Sequence, residues 1–182
     1  HYTAHIGSHR IEVEFGDCVF WIDRDARTAF ANRGPIRIDS PHLAIVVRGY
    51  MPENKSSEIV TQTNLPYVNG CSTKQVFPPE RLGDPTLQLL RIPPHSAEQA
   101  HHIHSTARVV IVLHGSGRSI VGMEGRTAAE NLYRGKVIIL HKMCPHHFET
   151  DGEALVVLPL HVWSSVPGME SSHPMFSGTH MV

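Results

Sequence analysis

Three histidines, His101, His102 and His104, fall within four positions at the head of the apolar run "ARVVIVLHG" (107–115). Imidazole is the commonest protein ligand for metals and the side chain whose charge changes near neutral pH. In extended backbone, side chains two apart share a face, so His102 and His104 point together while His101 points away. Two imidazoles at that spacing can reach one ion at metal–nitrogen distances of about 2.0–2.1 Å. A mononuclear site needs a third ligand, distant in sequence but near in space. "CPHHF" (144–148), just beyond the run "KVIIL" (136–140), supplies it in His146; His147 has the opposite parity. A His-x-His pair alone fits a polar, histidine-rich loop as well as it fits a metal site.

The elements that would hold these residues read as strands. "HRIEVEF" (9–15) alternates apolar and polar residues, and "CVFWI" (18–22), "IRID" (36–39) and "HLAIVVRGY" (42–50) follow at short spacing. "TLQLLRI" (86–92), the run at 107–115, "KVIIL" and "ALVVLPLHVW" (154–163) continue the pattern, rich in Val and Ile. Short strands between turn signals, with no long amphipathic helix, predict an all-β sandwich or barrel. "TAAENL" (127–132) reads as a short helical turn by propensity, and "MPENKSSE" (51–58) as a linker. "HLAIVVRG" faintly echoes "ARVVIVLHG", the pattern of a degenerate second half-barrel.

Composition excludes several classes. Sixteen Lys and Arg stand against 17 Asp and Glu in 182 residues, without a block of like charge, so neither nucleic acid nor an anionic membrane surface is an expected partner. No apolar run reaches the ~18 residues of a membrane span. Three scattered cysteines, Cys18, Cys71 and Cys144, argue against a disulfide framework and for a reducing, cytoplasmic setting. No signal-peptide pattern opens the sequence, although a start on His1 rather than Met leaves a removed leader open. The 15 histidines are the compositional anomaly.

Two motifs in order resemble those of the cupin superfamily. His102 and His104 take the paired-histidine positions of the first motif, with Gly115 as its closing glycine. "GKVIILHKMCPHHFET" (135–150) is similar to the second, with Gly135 at the opening turn and His146 at the ligand histidine. The resemblance covers about residues 85–163. It implies a jelly-roll (double-stranded β-helix) barrel over 62–165, an N-terminal β extension over 1–60 and a C-terminal tail over 166–182. The departures are Ser96 for the leading Gly, Thr150 for the closing Asn, and Arg108 where the family places a glutamate ligand.

Arg108 cannot bind a cation, so the resemblance implies a metal held by His102, His104 and His146 alone, similar to the thiol dioxygenases, with Fe(II) favoured and Zn, Mn or Ni as alternatives. Arg108 shares the parity of His102 and His104 and should face the interior. A guanidinium beside a dication needs an anion between them, so Arg108 is expected to pair with a substrate carboxylate unless a neighbour such as Glu98 takes it. Cys144, Cys71, Tyr67 and Glu149 are secondary candidates at the site. The expected function is an Fe(II) dioxygenase acting on a small carboxylate- or thiol-bearing substrate, with homodimerisation through edge strands. A non-redox lyase, isomerase or hydrolase and a non-catalytic binding cupin are the alternatives.

Overall fold

The computed structural model describes residues 1–81 and 83–163. The tail expected over 166–182 lies outside the described residues. Of two segments, 1–60 and 61–163, the first carries seven strands: β1 (Tyr2–Ile6), β2 (Arg10–Val13), β3 (Cys18–Ile22), β4 (Thr28–Arg33), β5 (Ile36–Asp39), β6 (Leu43–Val47) and β7 (Lys55–Glu58). The second carries nine: β8 (Leu65–Pro66), β9 (Ser72–Phe77), β10 (Thr86–Ile92), β11 (Arg108–His114), β12 (Ser116–Met123), β13 (Arg126–Tyr133), β14 (Val137–Leu140), β15 (His146–Glu149) and β16 (Leu155–His161). A single 3-10 turn, Val68–Gly70, is the only helix among the described residues. None of these residues forms a helix long and apolar enough to cross a membrane.

The second segment is a jelly roll. One sheet has the order β14-β11-β16-β10, prolonged by β9 and β8, and the other has the order β13-β12-β15. Two isolated bridges, Ala97 to Glu149 and His102 to His146, add the 97–102 stretch beyond β15 as a ragged fourth strand. The two four-membered layers then follow the interleaved order of two Greek keys.

The first segment repeats that order with one hairpin missing. β1-β6-β3-β4 matches β10-β16-β11-β14, and the separate pair β2-β5 matches the 97–102 stretch beside β15. Nothing corresponds to the β12–β13 hairpin. The interior of this shortened lobe is filled by Ile11, Val13, Val19, Ile38 and Val46.

The two lobes pack sheet to sheet. Alternation along β3 and β6 turns Cys18, Phe20, Ile22, Leu43, Ile45 and Val47 outward onto Leu87, Leu89, Val109, Ile111, Leu158 and Leu160 of the second lobe. The opposite faces of β10, β11 and β16 carry Leu90, Ile92, Val110, Val112, Leu155 and Val157 into the jelly-roll interior. Burial on both faces explains why these strands read as continuous apolar runs.

Several local expectations are corrected. The 127–132 stretch is β13, not a helical turn: it pairs with β12 from Ser116–Tyr133 to Met123–Arg126 around Gly125, and that ladder outweighs weak helix propensity. The 51–58 linker contains β7, which pairs with β4 from Thr28–Glu58 to Ala31–Lys55. The echo between 42–50 and 107–115 falls on strands that are not equivalent, since β6 matches β16 in strand order and β3 matches β11.

Candidate metal centre and adjoining cavity

Backbone pairing brings the histidines together. The His102 amide donates to the His146 carbonyl at 3.1 Å, and the His146 amide donates back to the His102 carbonyl at 2.9 Å. His104 lies just past that bridge, where its carbonyl accepts the Met143 amide at 2.7 Å. The ligand atoms of His102, His104 and His146 all lie within 4.8 Å of one another. His102 reaches this position from a single bridge followed by irregular chain, not from a regular strand.

Second contacts fix the ring orientations. Nδ1 of His102 donates to the Ala100 carbonyl at 2.8 Å, and Nδ1 of His146 donates to the Cys144 carbonyl at 2.8 Å. With the proton on Nδ1, each neutral ring turns a bare Nε2 lone pair inward. His146 Nε2 is buried without a partner, and the Nε2 atoms of His102 and His104 lie 2.7 Å apart. Burial pushes the pKa of His104 down to about 3 and that of His146 down to about 4, with the Arg108 charge adding to both. His102 is lowered for the same reasons. His104 Nε2 donates to His102 Nε2; three converging neutral rings, one with an orphaned nitrogen, fit a divalent cation that would replace that proton. Such an ion would take its nitrogens from His102, His104 and His146.

A cavity of about 140 Å³ adjoins the cluster. Arg108, Glu98, His161, Gln88, Thr73, Tyr67 and Gln99 give it polar walls; Leu90, Val110, Phe148 and Pro159 give it apolar ones. His161 and Phe148 join it to the histidines, with ring centroids 6.5 Å from His104 and 6.3 Å from His146 respectively. Three of its polar atoms are buried without a partner: Arg108 Nε, Glu98 Oε1 and His161 Nε2. Burial lowers the Arg108 pKa to about 10, with Glu98 acting in the opposite sense. Burial raises Glu98 to about 7, opposed by Arg108. A larger surface groove, lined by Arg24, Arg27, His42 and Arg134, lies away from the three histidines.

No family model and no curated protein matches the chain. Solved structures do. The polyketide cyclase RemF from Streptomyces resistomycificus is 20% identical over 62% of this chain and 86% of its own, at TM-score 0.45. A cupin 2 conserved barrel domain protein from Rhodopseudomonas palustris is 16% identical over 53% and 61%, at TM-score 0.44. A cupin-like protein from Thermotoga maritima is 18% identical over 50% and 67%, at TM-score 0.43. Two of the three are named as cupins, and the likeness to each is one of fold. The activity of none of these proteins transfers to this chain on such similarity.

Against the cupin pattern, Arg108 occupies the glutamate position and turns into the cavity beside the histidines. No carboxylate joins the three-histidine group among the described residues. Tyr67 lines the cavity and donates to Gln99 Oε1 at 2.9 Å. Cys71 is packed in the interior, where burial pushes its thiol up to about 11 and disfavours the thiolate at neutral pH. Cys144 serves through its backbone carbonyl. Glu149 supports no ligand imidazole; it pairs with Arg118 at 2.8 Å and lies 3.6 Å from His147. His147 in turn donates through Nδ1 to His101 at 2.9 Å, outside the cluster.

Sequence reasoning missed His161, Gln88, Thr73 and Gln99, and it met Glu98 only as a partner for Arg108. His161 carried a usable signal. Counting in twos from Leu155 and Val157, which face the interior, puts His161 on the same side.

Proposed function

We propose that the chain is a metal-dependent cupin oxidoreductase that uses O2 on a small substrate bearing a carboxylate or a thiol, with Fe(II) held by His102, His104 and His146. The observation that carries this reading is the convergence of three neutral imidazoles beside a buried cavity that holds a guanidinium. Fe(II) on three neutral donors would supply open coordination positions and a redox couple. The chain's own residues bind and orient. Arg108 offers its buried Nε–H to a substrate carboxylate in a charge-assisted hydrogen bond, strong because the cavity is shielded from water. Leu90, Val110 and Phe148 exclude water from the other wall. Exposed Tyr67 and half-buried Gln99, hydrogen-bonded to each other, border the solvent side.

Elemental analysis of tag-free protein beside His146→Ala tests the reading. About one iron per chain, lost in the variant, supports it and directs assays to oxygen consumption with small thiols and carboxylates. Zinc, manganese or nickel lost in the same way would favour a non-redox lyase, isomerase or hydrolase. Failure of both proteins to hold metal after anaerobic reconstitution with Fe(II) would leave a small-molecule-binding cupin.

A further inference from the structure

The metal reading leaves two buried groups of the cavity unused, His161 and Glu98, and Glu98 is the acidic one. Glu98 is 4% exposed, lines the cavity and has no hydrogen-bond partner at Oε1. Its amide donates to the Phe148 carbonyl at 3.0 Å, which ties it to the strand that carries His146. Glu98 and Arg108 are the two groups of opposite charge in the cavity wall, yet among the described residues no ion pair joins them. An anion that enters to meet Arg108 therefore competes with Glu98 for one positive charge. Two anions and one cation in a buried cavity are unfavourable, and a carboxylate relieves this by taking a proton.

We propose that Glu98 is the displaceable counter-ion of this cavity: when a small monocarboxylate takes Arg108, Glu98 binds one proton and becomes a hydrogen-bond donor to the ligand. The proton comes from solvent and bonds to a Glu98 carboxylate oxygen; no other bond changes. This rests on the proposed function and narrows its substrate class to acids with one carboxylate beside a hydrogen-bond acceptor, such as an oxo or hydroxyl oxygen. A second carboxylate would face Glu98 and be disfavoured. The remaining titratable groups around Glu98 hold still near neutral pH. Burial pushes Tyr67 and Cys71 up and His161 down to about 3, while Arg108 stays charged. Burial has already brought Glu98 to about 7, so its proton is exchangeable there.

Infrared difference spectroscopy of the protein with its metal content as purified reads this carboxyl directly. The pH is titrated in wild type, Glu98→Gln and Arg108→Gln, with acetate or with chloride at matched ionic strength. A buried carboxyl band titrating near neutrality, and absent from Glu98→Gln, is expected. Acetate at ten times its dissociation constant for the protonated form should raise the midpoint by about one pH unit in wild type and leave Arg108→Gln unmoved. A wild-type midpoint that acetate does not move, or that moves equally in Arg108→Gln, overturns the proposal without need of the Glu98 variant. Protein that shows the shift but binds no metal keeps this proposal and loses the oxidoreductase. Metal-loaded protein without the shift does the reverse.

Discussion

Arg108 and His161 are direct partners across the β11–β16 ladder, and each ends in the same cavity with a buried nitrogen that no other group meets. The pair is asymmetric in charge. Burial, helped by the neighbouring guanidinium, holds His161 neutral. The positive charge therefore resides on Arg108, one residue pair away from a ring that can donate or accept. Such a wall suits a carboxylate lying against Arg108 with a second polar atom toward His161.

Replacing Arg108 separates substrate binding from metal binding. Arg108→Gln should keep the metal, because the nitrogens proposed to hold it belong to His102, His104 and His146. Carboxylate binding should weaken by about 10- to 100-fold, the range of one charge-assisted hydrogen bond. Calorimetric titration with a small carboxylate, alongside metal analysis, reads both. Loss of metal from a folded variant would make Arg108 a structural support of the cluster instead.

Of the three proposed ligands, His146 is the one whose loss should be most visible. It is 1% exposed, and its Nε2 is buried without a hydrogen-bond partner. Metal that binds only the folded state stabilises it by about 2.7 kcal/mol at a hundredfold excess over the dissociation constant. A chelator should therefore lower the melting temperature of wild type and leave His146→Ala unchanged. Equal chelator sensitivity in both proteins would remove His146 from the ligand set.

Alongside His104 and His146, whose pKa values burial also lowers, His161 should make the stability of the metal-free protein depend on pH. Its pKa is about 3 in the fold against an ordinary 6.5, so the unfolded chain takes the proton first as pH falls. The contribution is complete above 6.5 and is lost progressively toward 3, with a slope of up to ~1.4 kcal/mol per pH unit. Glu98 works in the opposite sense, since its folded pKa of about 7 lies above its ordinary 4.5 and the fold binds that proton more tightly. Urea unfolding across this range should therefore show a shallower slope in His161→Gln and a steeper one in Glu98→Gln. Slopes equal to wild type in both would mean that neither group is shielded as the structure places it.

The strands with two buried faces were legible because burial on both sides leaves an unbroken apolar run, as in β3, β6, β11 and β16. Of those with one wet face, β2 showed through its alternation and β5 as a short run, but most did not. β1, β4, β9, β12 and β15 mix polar and apolar residues, and their ladders rather than their compositions define them. The three histidines could be grouped because two lie side by side and the third follows a strong strand. Glu98 could not be placed: it sits on a stretch that pairs only through single bridges, where no period fixes its direction. Gly115 shows the opposite case. Its φ is +78°, and a Cβ there would come within 1.7 Å of the Ala154 carbonyl oxygen, so the motif glycine answers a backbone demand.

The shortened first lobe should be required for the second to remain folded and soluble. Phe20 is 2% exposed at the sheet-to-sheet contact, 6.5 Å from Phe77 and 6.4 Å from Tyr50 between ring centroids. Truncating it removes aromatic contacts on both sides, and a Phe→Ala change in such a core costs about 3–5 kcal/mol. Phe20→Ala should therefore lower the urea midpoint of the whole chain in one cooperative transition, monitored by circular dichroism and by the tryptophan fluorescence of Trp21 in the first lobe and Trp163 beyond β16. A chain beginning at residue 62 would expose Leu87, Leu89, Val109, Ile111, Leu158 and Leu160 together, an apolar face of the kind that drives aggregation. If that fragment is monomeric and binds metal as the full chain does, residues 1–60 are dispensable to the site and the lobes fold independently. Two separate transitions in Phe20→Ala would lead to the same conclusion.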